Sequence, residues 1–268
     1  MNDFIKLDSH KDGHVLAIFC GVHGNEKTGI LAVQKLLDNL ILTKGILYIV
    51  FANPLAIKNN IRFVEQNLNR CFIKSQTGSS YEEKRAQFLM NVLDNCDALL
   101  DLHDSNTDNS ISFAITDSGL DVVKHMNLEY VVTGFDKLEP GASDGYMHKL
   151  GKIGICLECG SIKHSTKNLD FAYDSILQYL QYFDAIDTIV PRHHINQKHL
   201  HVEQCQLVTS NSFKLLHDFS DFETLPKGYV IAQDEFKTYI TTKEQVILFG
   251  SSNKPVGSEA YFLGSWVI

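Results

Sequence analysis

The sequence predicts an α/β fold, in which a twisted, mostly parallel sheet is flanked by helices and followed by a small C-terminal β domain. Two observations support this prediction. Short apolar runs alternate with longer helical patterns over the first two-thirds of the 268 residues, whereas strand-like runs separated by Gly, Pro and Asn turns follow Pro191. Alternating strands and helices are typical of a parallel sheet covered on both faces. We therefore expect one domain over residues 1–195 and a second over 196–268.

The predicted elements of the first domain are short buried strands and amphipathic helices. The strands are expected at residues 15–20, 45–51, 98–103, 112–116 and 153–158. The helices are expected at 27–40, 81–95, 119–126 and 166–186. The second domain has strand-like runs at 228–232, 238–241, 245–249 and 260–267. Ligands of open parallel sheets bind at the carboxyl ends of the strands, so those ends are the first candidate site.

The composition narrows the class of protein. A hydrophobic fraction of 44% with 21% charged residues is typical of a globular protein. The formal net charge of −8 argues against a nucleic-acid partner. No apolar run has the length of a membrane span and the N-terminal residues lack a signal-peptide pattern, so we expect a cytoplasmic protein with no membrane partner. The sequence is compatible with either a monomer or a homo-oligomer.

The six cysteines are expected to be reduced thiols. Cys156 and Cys159 form a single Cys-x-x-Cys, which could indicate a zinc or redox site. No second pair accompanies them, and the segment is a predicted strand, on which residues three apart point to opposite faces. We therefore interpret both as core cysteines.

The most informative motif is Gly21-Val22-His23-Gly24-Asn25-Glu26, directly after the first predicted strand. His103 follows another apolar strand, and His, Glu and His form the ligand set of catalytic zinc. Alternatively, His23 could be a surface residue and Glu26 a carboxylate at a helix start. That alternative does not explain the glycines on both sides of His23, which allow the sharp turn that converging ligands need.

A second candidate segment, residues 53–72, follows the strand at 45–51. Arg62, Asn69 and Arg70 lie in it, and little helical periodicity is visible. Each arginine alone could be a solvated surface charge. Together, two guanidinium groups and an amide at a strand end suit the binding of a carboxylate.

These motifs occur in a characteristic order. Gly-x-His-Gly-Asn-Glu precedes Asn-Pro and Leu-Asn-Arg-x-Phe, which precede Asp-Leu-His and Glu-x-Gly. The ordered set resembles the succinylglutamate desuccinylase/aspartoacylase family, relatives of the zinc carboxypeptidases. The resemblance implies a zinc carboxypeptidase-like catalytic domain with one Zn²⁺ per subunit. It also implies a C-terminal β domain that covers the active-site cleft.

The resemblance also implies roles for individual residues. It implies three zinc ligands, at His23, Glu26 and His103. Glu158 matches the general base and Arg62 the arginine that polarises the scissile carbonyl. Asn69 and Arg70 match the pair that grips a substrate carboxylate, and Tyr261 looks like the tyrosine that the C-terminal domain lends to the site. Glu158 follows an apolar strand, where a buried carboxylate needs a polar partner, although a nearby helix N-terminus could also satisfy it.

Two positions depart from the family pattern. Asn67 stands where the family usually has Asp, which keeps a hydrogen-bonding group and loses a charge. Aspartoacylase-like members place a carboxylate-binding arginine ten residues before the base, where this chain has His148 followed by Lys149. His148 is therefore our candidate for that substrate-binding position. Neither residue offers a bidentate fork, and Asp144 is close, which argues against N-acetylaspartate as the substrate.

Other polar residues near these motifs have weaker interpretations. Asp101 shares a strand face with His103 and is the preferred hydrogen-bond partner of its imidazole, whereas Asp104 points the other way. The pairs His193-His194 and His199-x-His201 lie between the two domains. The second pair could share a strand face and bind a metal, but no third ligand is evident.

The sequence thus predicts a zinc-dependent amidohydrolase that removes the acyl group from a small-molecule N-acyl amino acid or a similar carboxylate. A carboxypeptidase for short peptides would use the same catalytic groups. The third hypothesis is a non-catalytic relative that binds a metal or a metabolite. Binding alone would not require a base at Glu158, which favours an enzyme.

Overall fold

The computed structural model describes residues 3–75, 78–193, 195–252 and 254–267. The strands are β1 (Phe4–Asp8), β2 (Val15–Cys20), β3 (Ile46–Phe51), β4 (Ala98–Ser105), β5 (Phe113–Ile115), β6 (Tyr130–Thr133), β7 (Ile153–Ser161), β8 (Lys198–Leu207), β9 (Lys214–Leu215), β10 (Glu223–Leu225), β11 (Val230–Gln233), β12 (Thr238–Ile240), β13 (Gln245–Leu248) and β14 (Glu259–Trp266). The α-helices are α1 (Thr28–Asn39), α2 (Pro54–Asn59), α3 (Tyr81–Leu93), α4 (Leu120–Val123), α5 (Phe135–Leu138), α6 (Ser143–Lys149) and α7 (Leu169–Tyr182). None of these described helices combines the length and apolar character needed to cross a bilayer.

Eleven strands form one mixed sheet in the order β1-β3-β2-β4-β7-β5-β6-β8-β14-β13-β10. The strands from β3 to β7 in this order are parallel, as predicted. β1 pairs antiparallel with β3, and β5 pairs antiparallel with β7 but parallel with β6. The strands after residue 195 continue this sheet, because β8 pairs parallel with β6 and antiparallel with β14. A second, three-stranded sheet has the order β12-β11-β9. The division at residue 195 stays a prediction.

Helices cover both faces of the parallel strands. On one face α1 and α7 pack against the sheet through residues such as Leu36 and Ile176. On the other face α3 and α6 pack through Leu89 and Met147. This burial of both faces explains why the central strands are continuous apolar runs. All six cysteines are free thiols, and Cys156 and Cys159 belong to core clusters on different faces, which confirms their interpretation as core residues.

The structure extends several predicted elements and adds others. β4 continues to Ser105 and β7 to Ser161, so His103 and Glu158 lie inside their strands rather than at the ends. Extended pairing is possible there because both strands are buried along nearly their whole length. The elements β1, β6, β8, β9, β10, α2, α5 and α6 were not predicted. Except for β8 they are short, so they carry too few apolar repeats for a clear period.

One buried carboxylate organises the loop between α2 and α3. Glu82, in the first turn of α3, is fully buried. It accepts hydrogen bonds from three consecutive backbone N–H groups, at residues 64–66, with N···O distances of 2.7, 3.1 and 3.3 Å. It also accepts one from Asn53 Nδ2 at 3.2 Å. This loop carries Arg62 and Asn67, so Glu82 determines where those two side chains lie.

We expect Glu82→Gln to destabilise the protein by about 2–4 kcal/mol, because the amide NH₂ would face backbone donors that the carboxylate now satisfies. Urea unfolding followed by circular dichroism measures the change. Glu83→Gln is the matched control, since Glu83 sits in the exposed capping box with Ser80 and glutamine can serve the same role there. An equal loss for both variants would contradict this account of the loop.

Candidate active site

A cavity of about 760 Å³ contains seven of the nine predicted site residues. They are His23, Glu26, Arg62, Asn69, Arg70, His103 and Glu158. The loop after β2 and the strands β4 and β7 provide the floor, and residues of the C-terminal strands and their loops border the opening. The cavity therefore lies toward the carboxyl ends of parallel strands, where ligands of such sheets bind.

The floor of the cavity holds a compact group of metal-ligating side chains. His23 Nδ1 lies 2.7 Å from Glu26 Oε1, and His103 Nδ1 lies 3.1 Å from Glu26 Oε2. The three ligand atoms lie within 4.8 Å of one another, and the residues are 4%, 3% and 3% exposed. Buried nitrogen and carboxylate ligands that converge in this way could hold a divalent ion.

Glycines allow the turn that carries two of these residues. Gly21 has φ +66°, which an L-residue rarely adopts. A Cβ at Gly24 would lie 2.1 Å from the backbone carbon of Ala56 in α2, so a larger residue would displace that helix. The close approach of α2 brings the following loop, with Arg62, beside His23 and Glu26.

The outer nitrogens of both imidazoles also have partners. His23 Nε2 lies 2.9 Å from Asn67 Oδ1, so asparagine still provides the acceptor expected of the family's aspartate. His103 Nε2 lies 3.2 Å from Asp101 Oδ2, in a close contact that lacks ideal hydrogen-bond alignment. Ser143 Oγ donates to the same Asp101 oxygen. Such contacts orient each ring with its Nδ1 toward Glu26.

Asp104 has a different function from Asp101, as the alternation along β4 predicts. Its Oδ2 accepts hydrogen bonds from the backbone N–H groups of Lys27 and Thr28 at 2.9 and 3.0 Å. Asp104, which lies in β4, therefore caps the N-terminus of α1. Its own N–H donates to Glu26 Oε2 at 3.1 Å, which helps to hold that carboxylate in place.

Charges in the cluster strongly perturb the histidines. Burial lowers the pKa of His103, but the charges and hydrogen bonds of Asp101 and Glu26 outweigh burial and hold that pKa well above 6.5. Burial and the nearby Arg62 and His103 lower the pKa of His23, although Glu26 opposes them. The same imidazoles outweigh the effect of burial on Glu26 and keep its pKa well below 4.5. Without a metal, His103 thus carries the proton and Glu26 is an anion.

Glu158 lies beside His103 on the neighbouring strand and is 8% exposed. Its Oε2 is buried and has no hydrogen-bond partner among the described residues, so no described helix N-terminus satisfies that oxygen. Burial raises the pKa of Glu158 to about 8; His103 opposes the increase, whereas Glu26 and Asp104 add to it. A carboxyl group with a pKa close to neutral is suited to taking up and returning a proton.

Arg62 lies at the edge of the metal-ligating cluster. Its Nη1 is 3.1 Å from Glu26 Oε1, the oxygen that also contacts His23 Nδ1. The side chain is 38% exposed and reaches into the cavity. A guanidinium at this position can stabilise negative charge that develops on a carbonyl oxygen next to the cluster.

Arg70 lines the cavity, but its guanidinium already has two carboxylate partners. Arg70 Nη2 lies 2.5 Å from Glu139 Oε1 and 2.8 Å from Glu259 Oε1, and Nη1 donates to Asn69 O at 2.8 Å. Burial raises the pKa of Glu139 to about 7, with Arg70 opposing and Glu259 adding to the increase. Asn69 uses its Oδ1 to accept from Ser143 N at 3.2 Å. Arg70 is therefore less available to a substrate carboxylate than the family resemblance implies.

The structure does not bring Tyr261 into this cavity, so its substrate-binding role stays a prediction. Tyr261 is 3% exposed, packs in the core next to the three-stranded sheet and borders a separate cavity of about 240 Å³. Its neighbour Phe262 lines the active-site cavity instead. The pairing of β14 with β8 is irregular between Glu259 and Tyr261, and this irregularity decides which residue of the strand faces the site.

The structure does not place His148 in this cavity either, so its substrate-binding role stays a prediction. His148 lies near the C-terminus of α6, where its half-exposed Nδ1 contacts Asp136 Oδ2, and it is not among the described residues that line the active-site cavity. Asp136 lies in α5 and is close to Asp117, so His148 belongs to a different polar cluster. The acidic partner draws the imidazole away from the site.

The histidines between the predicted domains have a structural partner. His199 Nε2 and His201 Nδ1 lie 2.9 and 3.0 Å from Thr133 Oγ1, so the two rings share a strand face as expected. The described residues provide no third ligand for this pair. His193 N donates to Asn127 Oδ1 at 2.9 Å, and His194 lies outside the described residues.

Five charged residues that line the cavity were not predicted: Asp108, Glu139, Asp218, Lys254 and Glu259. Glu259 lies in the same segment as Tyr261, and its position there is the only signal that could have indicated it. Glu139 and Lys254 are more than a hundred residues apart in the sequence. No local pattern connects them, because their proximity arises when the C-terminal strands join the sheet.

The comparisons with known proteins agree with this geometry. The sequence model of the succinylglutamate desuccinylase/aspartoacylase catalytic domain matches residues 12–182. A probable aspartoacylase of Nostoc sp. is 26% identical over 190 residues, which cover 63% of this chain and 65% of the relative. An N-acyl-aromatic-L-amino acid amidohydrolase (carboxylate-forming) A of Danio rerio is 30% identical over 170 residues, covering 54% and 52%. The chain thus matches less than two-thirds of the length of either relative.

A solved structure shows the likeness of the fold along almost the whole chain. Succinylglutamate desuccinylase from Vibrio cholerae superposes with a TM-score of 0.83 at 19% identity, covering 99% of this chain and 86% of the other. At that identity the superposition concerns the fold alone. The match of the catalytic-domain model to well over half of the residues goes further. This chain belongs to the succinylglutamate desuccinylase/aspartoacylase family.

Proposed function

We propose that this protein is a zinc-dependent amidohydrolase that removes the acyl group from an N-acylated amino acid or a similar small carboxylate. Family membership supports a deacylase. The observation that carries the proposal is the unpartnered carboxyl oxygen of Glu158, beside the buried cluster of His23, Glu26 and His103. Within the same proposal, the catalytic domain is zinc carboxypeptidase-like and residues 196–268 form a β domain that covers the cleft.

The residues present fit a zinc ion. Both Nδ1 atoms and the Glu26 carboxylate converge, while the outer ring nitrogens contact Asn67 and Asp101. Two histidines and a glutamate are a ligand set of catalytic zinc, and they would hold one ion per subunit. A bound zinc ion supplies Lewis acidity, which polarises a carbonyl and lowers the pKa of water.

The protein side chains account for the remaining chemistry. Glu158 takes a proton from the attacking water and then delivers it to the departing amide nitrogen. Arg62 holds the negative charge that develops on the carbonyl oxygen, a contribution that is strongest where water is excluded. Asn69 lines the cavity next to Arg70 and is the amide that would contact a substrate carboxylate. Its fixed hydrogen bond to Ser143 keeps its orientation constant during the reaction.

The dimensions of the cavity favour a small substrate over a longer peptide. A volume of about 760 Å³ lies within the range of small-molecule sites. Phe249, Pro255 and Phe262, from the C-terminal strands and loops, line it. These residues would limit the space for a peptide chain, which supports the deacylase over a carboxypeptidase. A protein that only binds a metabolite would need neither the Glu158 carboxyl nor Arg62 at their positions.

The reaction class can be tested with zinc-loaded protein and a panel of N-acetyl, N-succinyl and N-formyl amino acids and short peptides, with amine release as the readout. We expect turnover of an acyl amino acid, and a decrease of kcat by about 10²–10⁴-fold in Glu158→Gln, because the proton acceptor is lost. Glu129→Gln is the control, since Glu129 pairs with Lys198 on the surface.

The outcomes separate the candidate functions. Turnover confined to peptides would favour the carboxypeptidase. Full activity of Glu158→Gln would contradict the role of Glu158 as the base. A wild-type protein that binds zinc stoichiometrically but releases no amine across the panel would favour the non-catalytic relative.

Metal binding should release protons and strengthen as pH rises. The pKa of His103 is raised above 6.5 in the metal-free protein, so at pH 7 the metal must displace the proton from Nδ1 or Nε2 before the ring can bind it. Below that pKa the competing proton decreases the affinity for zinc, and above it the ring is neutral and no longer competes. Calorimetric titration with zinc in buffers of different ionisation enthalpy measures the protons released.

We expect Asp101→Asn to weaken zinc binding by about 10–100-fold and to reduce the proton release at pH 7, because the charge that holds the proton on His103 is removed. Asp136→Asn is the control, since Asp136 contacts His148 outside the cavity. Equal proton release by the wild type and Asp101→Asn would contradict the assignment of the proton to His103.

A further inference from the structure

We propose that Lys254 binds a carboxylate of the substrate, remote from the scissile amide. This inference rests on the proposed function and identifies the substrate class as N-acyl compounds that carry such a carboxylate. The family resemblance places one substrate carboxylate at Arg70 and a second at the position of His148. One of these carboxylates would then be recognised by an ammonium from the loop between β13 and β14.

The contacts of Lys254 leave part of its hydrogen-bonding capacity unused. Lys254 Nζ donates to Phe249 O at 2.7 Å and to Ala260 O at 3.2 Å, and the side chain lines the active-site cavity. An ammonium has three N–H donors. The described residues provide no third acceptor and no carboxylate within 4.0 Å of Nζ. One donor therefore remains for a ligand in the cavity.

The other two basic side chains of the cavity already have anionic partners. Arg70 contacts Glu139 and Glu259, and Arg62 contacts Glu26. Lys254 is thus the one lysine or arginine, among the described residues lining the cavity, without an ion pair. A free anion in the cavity would find its strongest new contact there.

The electrostatics of Lys254 agree with a missing counterion. Burial lowers the pKa of Lys254 to about 8, and repulsion from Arg62 adds to that decrease. Glu259, Asp221 and Glu139 oppose it without contacting the ammonium. A buried cation without a partner is unfavourable, and a carboxylate that accepts the remaining N–H would compensate for the lost hydration.

The carboxylate could belong to the amino-acid part or to the acyl part of the substrate. Both present the same chemistry to an ammonium. Two substrate series distinguish them: in one the amino-acid carboxylate is converted to a carboxamide, and in the other a succinyl group is replaced by a butyryl group. In the wild type, removing the carboxylate that Lys254 contacts should decrease kcat/KM. Any effect of removing the other carboxylate should not depend on Lys254.

The decisive variant is Lys254→Gln. A charge-assisted hydrogen bond contributes about 1.5–3 kcal/mol, so the preference for the charged over the uncharged substrate should decrease by about 10–100-fold, mainly through KM. Lys152→Gln is the matched control, because Lys152 Nζ also donates to two backbone carbonyls, of Leu93 and Asp94, and does not line the cavity. An unchanged preference in both substrate series would overturn the proposal.

A second measurement requires no variant. In the wild type, KM for the charged substrate should increase above about pH 8, as Lys254 loses its proton, while KM for the uncharged analogue should not. The charged groups that face Lys254 are Asp221, Glu259, Glu139, Arg62 and Asp218. Parallel pH profiles for both substrates would contradict the role of Lys254.

Failure of the proposed deacylase activity and failure of the Lys254 subsite would give different results. If the wild type releases no amine from any panel member, the proposed deacylase is wrong. Binding of the charged and uncharged compounds, measured by calorimetry on the wild type and Lys254→Gln, then still tests the subsite. Weaker binding of only the charged compound by Lys254→Gln would support the subsite, and equal binding would overturn it.

Discussion

The geometry of the site depends on the carboxylate of Glu26. Its Oε1 contacts His23 Nδ1 and Arg62 Nη1, and its Oε2 contacts His103 Nδ1 and the backbone N–H of Asp104. One side chain thus joins the turn after β2, the strand β4 and the loop after α2. Because the Glu26 carboxylate is buried and anionic, its hydrogen bonds to these three segments are stronger than they would be in water.

A second layer of polar contacts keeps this arrangement rigid. Asn67 and Asp101 hold the outer nitrogens of the two imidazoles, and Glu82 holds the loop that carries Asn67 and Arg62. Asp101 lies in β4 and Glu82 in α3, and Asn67 lies in the loop that Glu82 holds. A metal ion and a substrate would therefore meet a site that needs little reorganisation, which is the condition under which fixed charges contribute most to a reaction.

The distribution of charge around the cavity distinguishes this chain from what the family resemblance implies. The guanidinium of Arg70 is shared between two carboxylates, while Lys254, among the described residues, donates only to backbone carbonyls. The C-terminal strands bring Glu259 and Lys254 to the cavity because they continue the main sheet through β8 and β14. In the proposed Lys254 subsite, selectivity would be set in part by residues distant in sequence from the metal-ligating motif.

The sequence by itself determined the α/β fold, the family and the core of the site. These features depend on local patterns: apolar strands of regular length, a His and a Glu three residues apart, and a polar residue in each of two apolar strands. His103 and Glu158 become neighbours because β4 and β7 pair in parallel register. The tertiary structure decided the rest. A β14 irregularity directs Phe262 rather than Tyr261 to the cavity, Asp136 draws His148 away, and Glu139, Lys254 and Glu259 meet only when the sheet is complete. Such contacts join residues far apart in the chain and follow from register and packing, which no local spacing encodes.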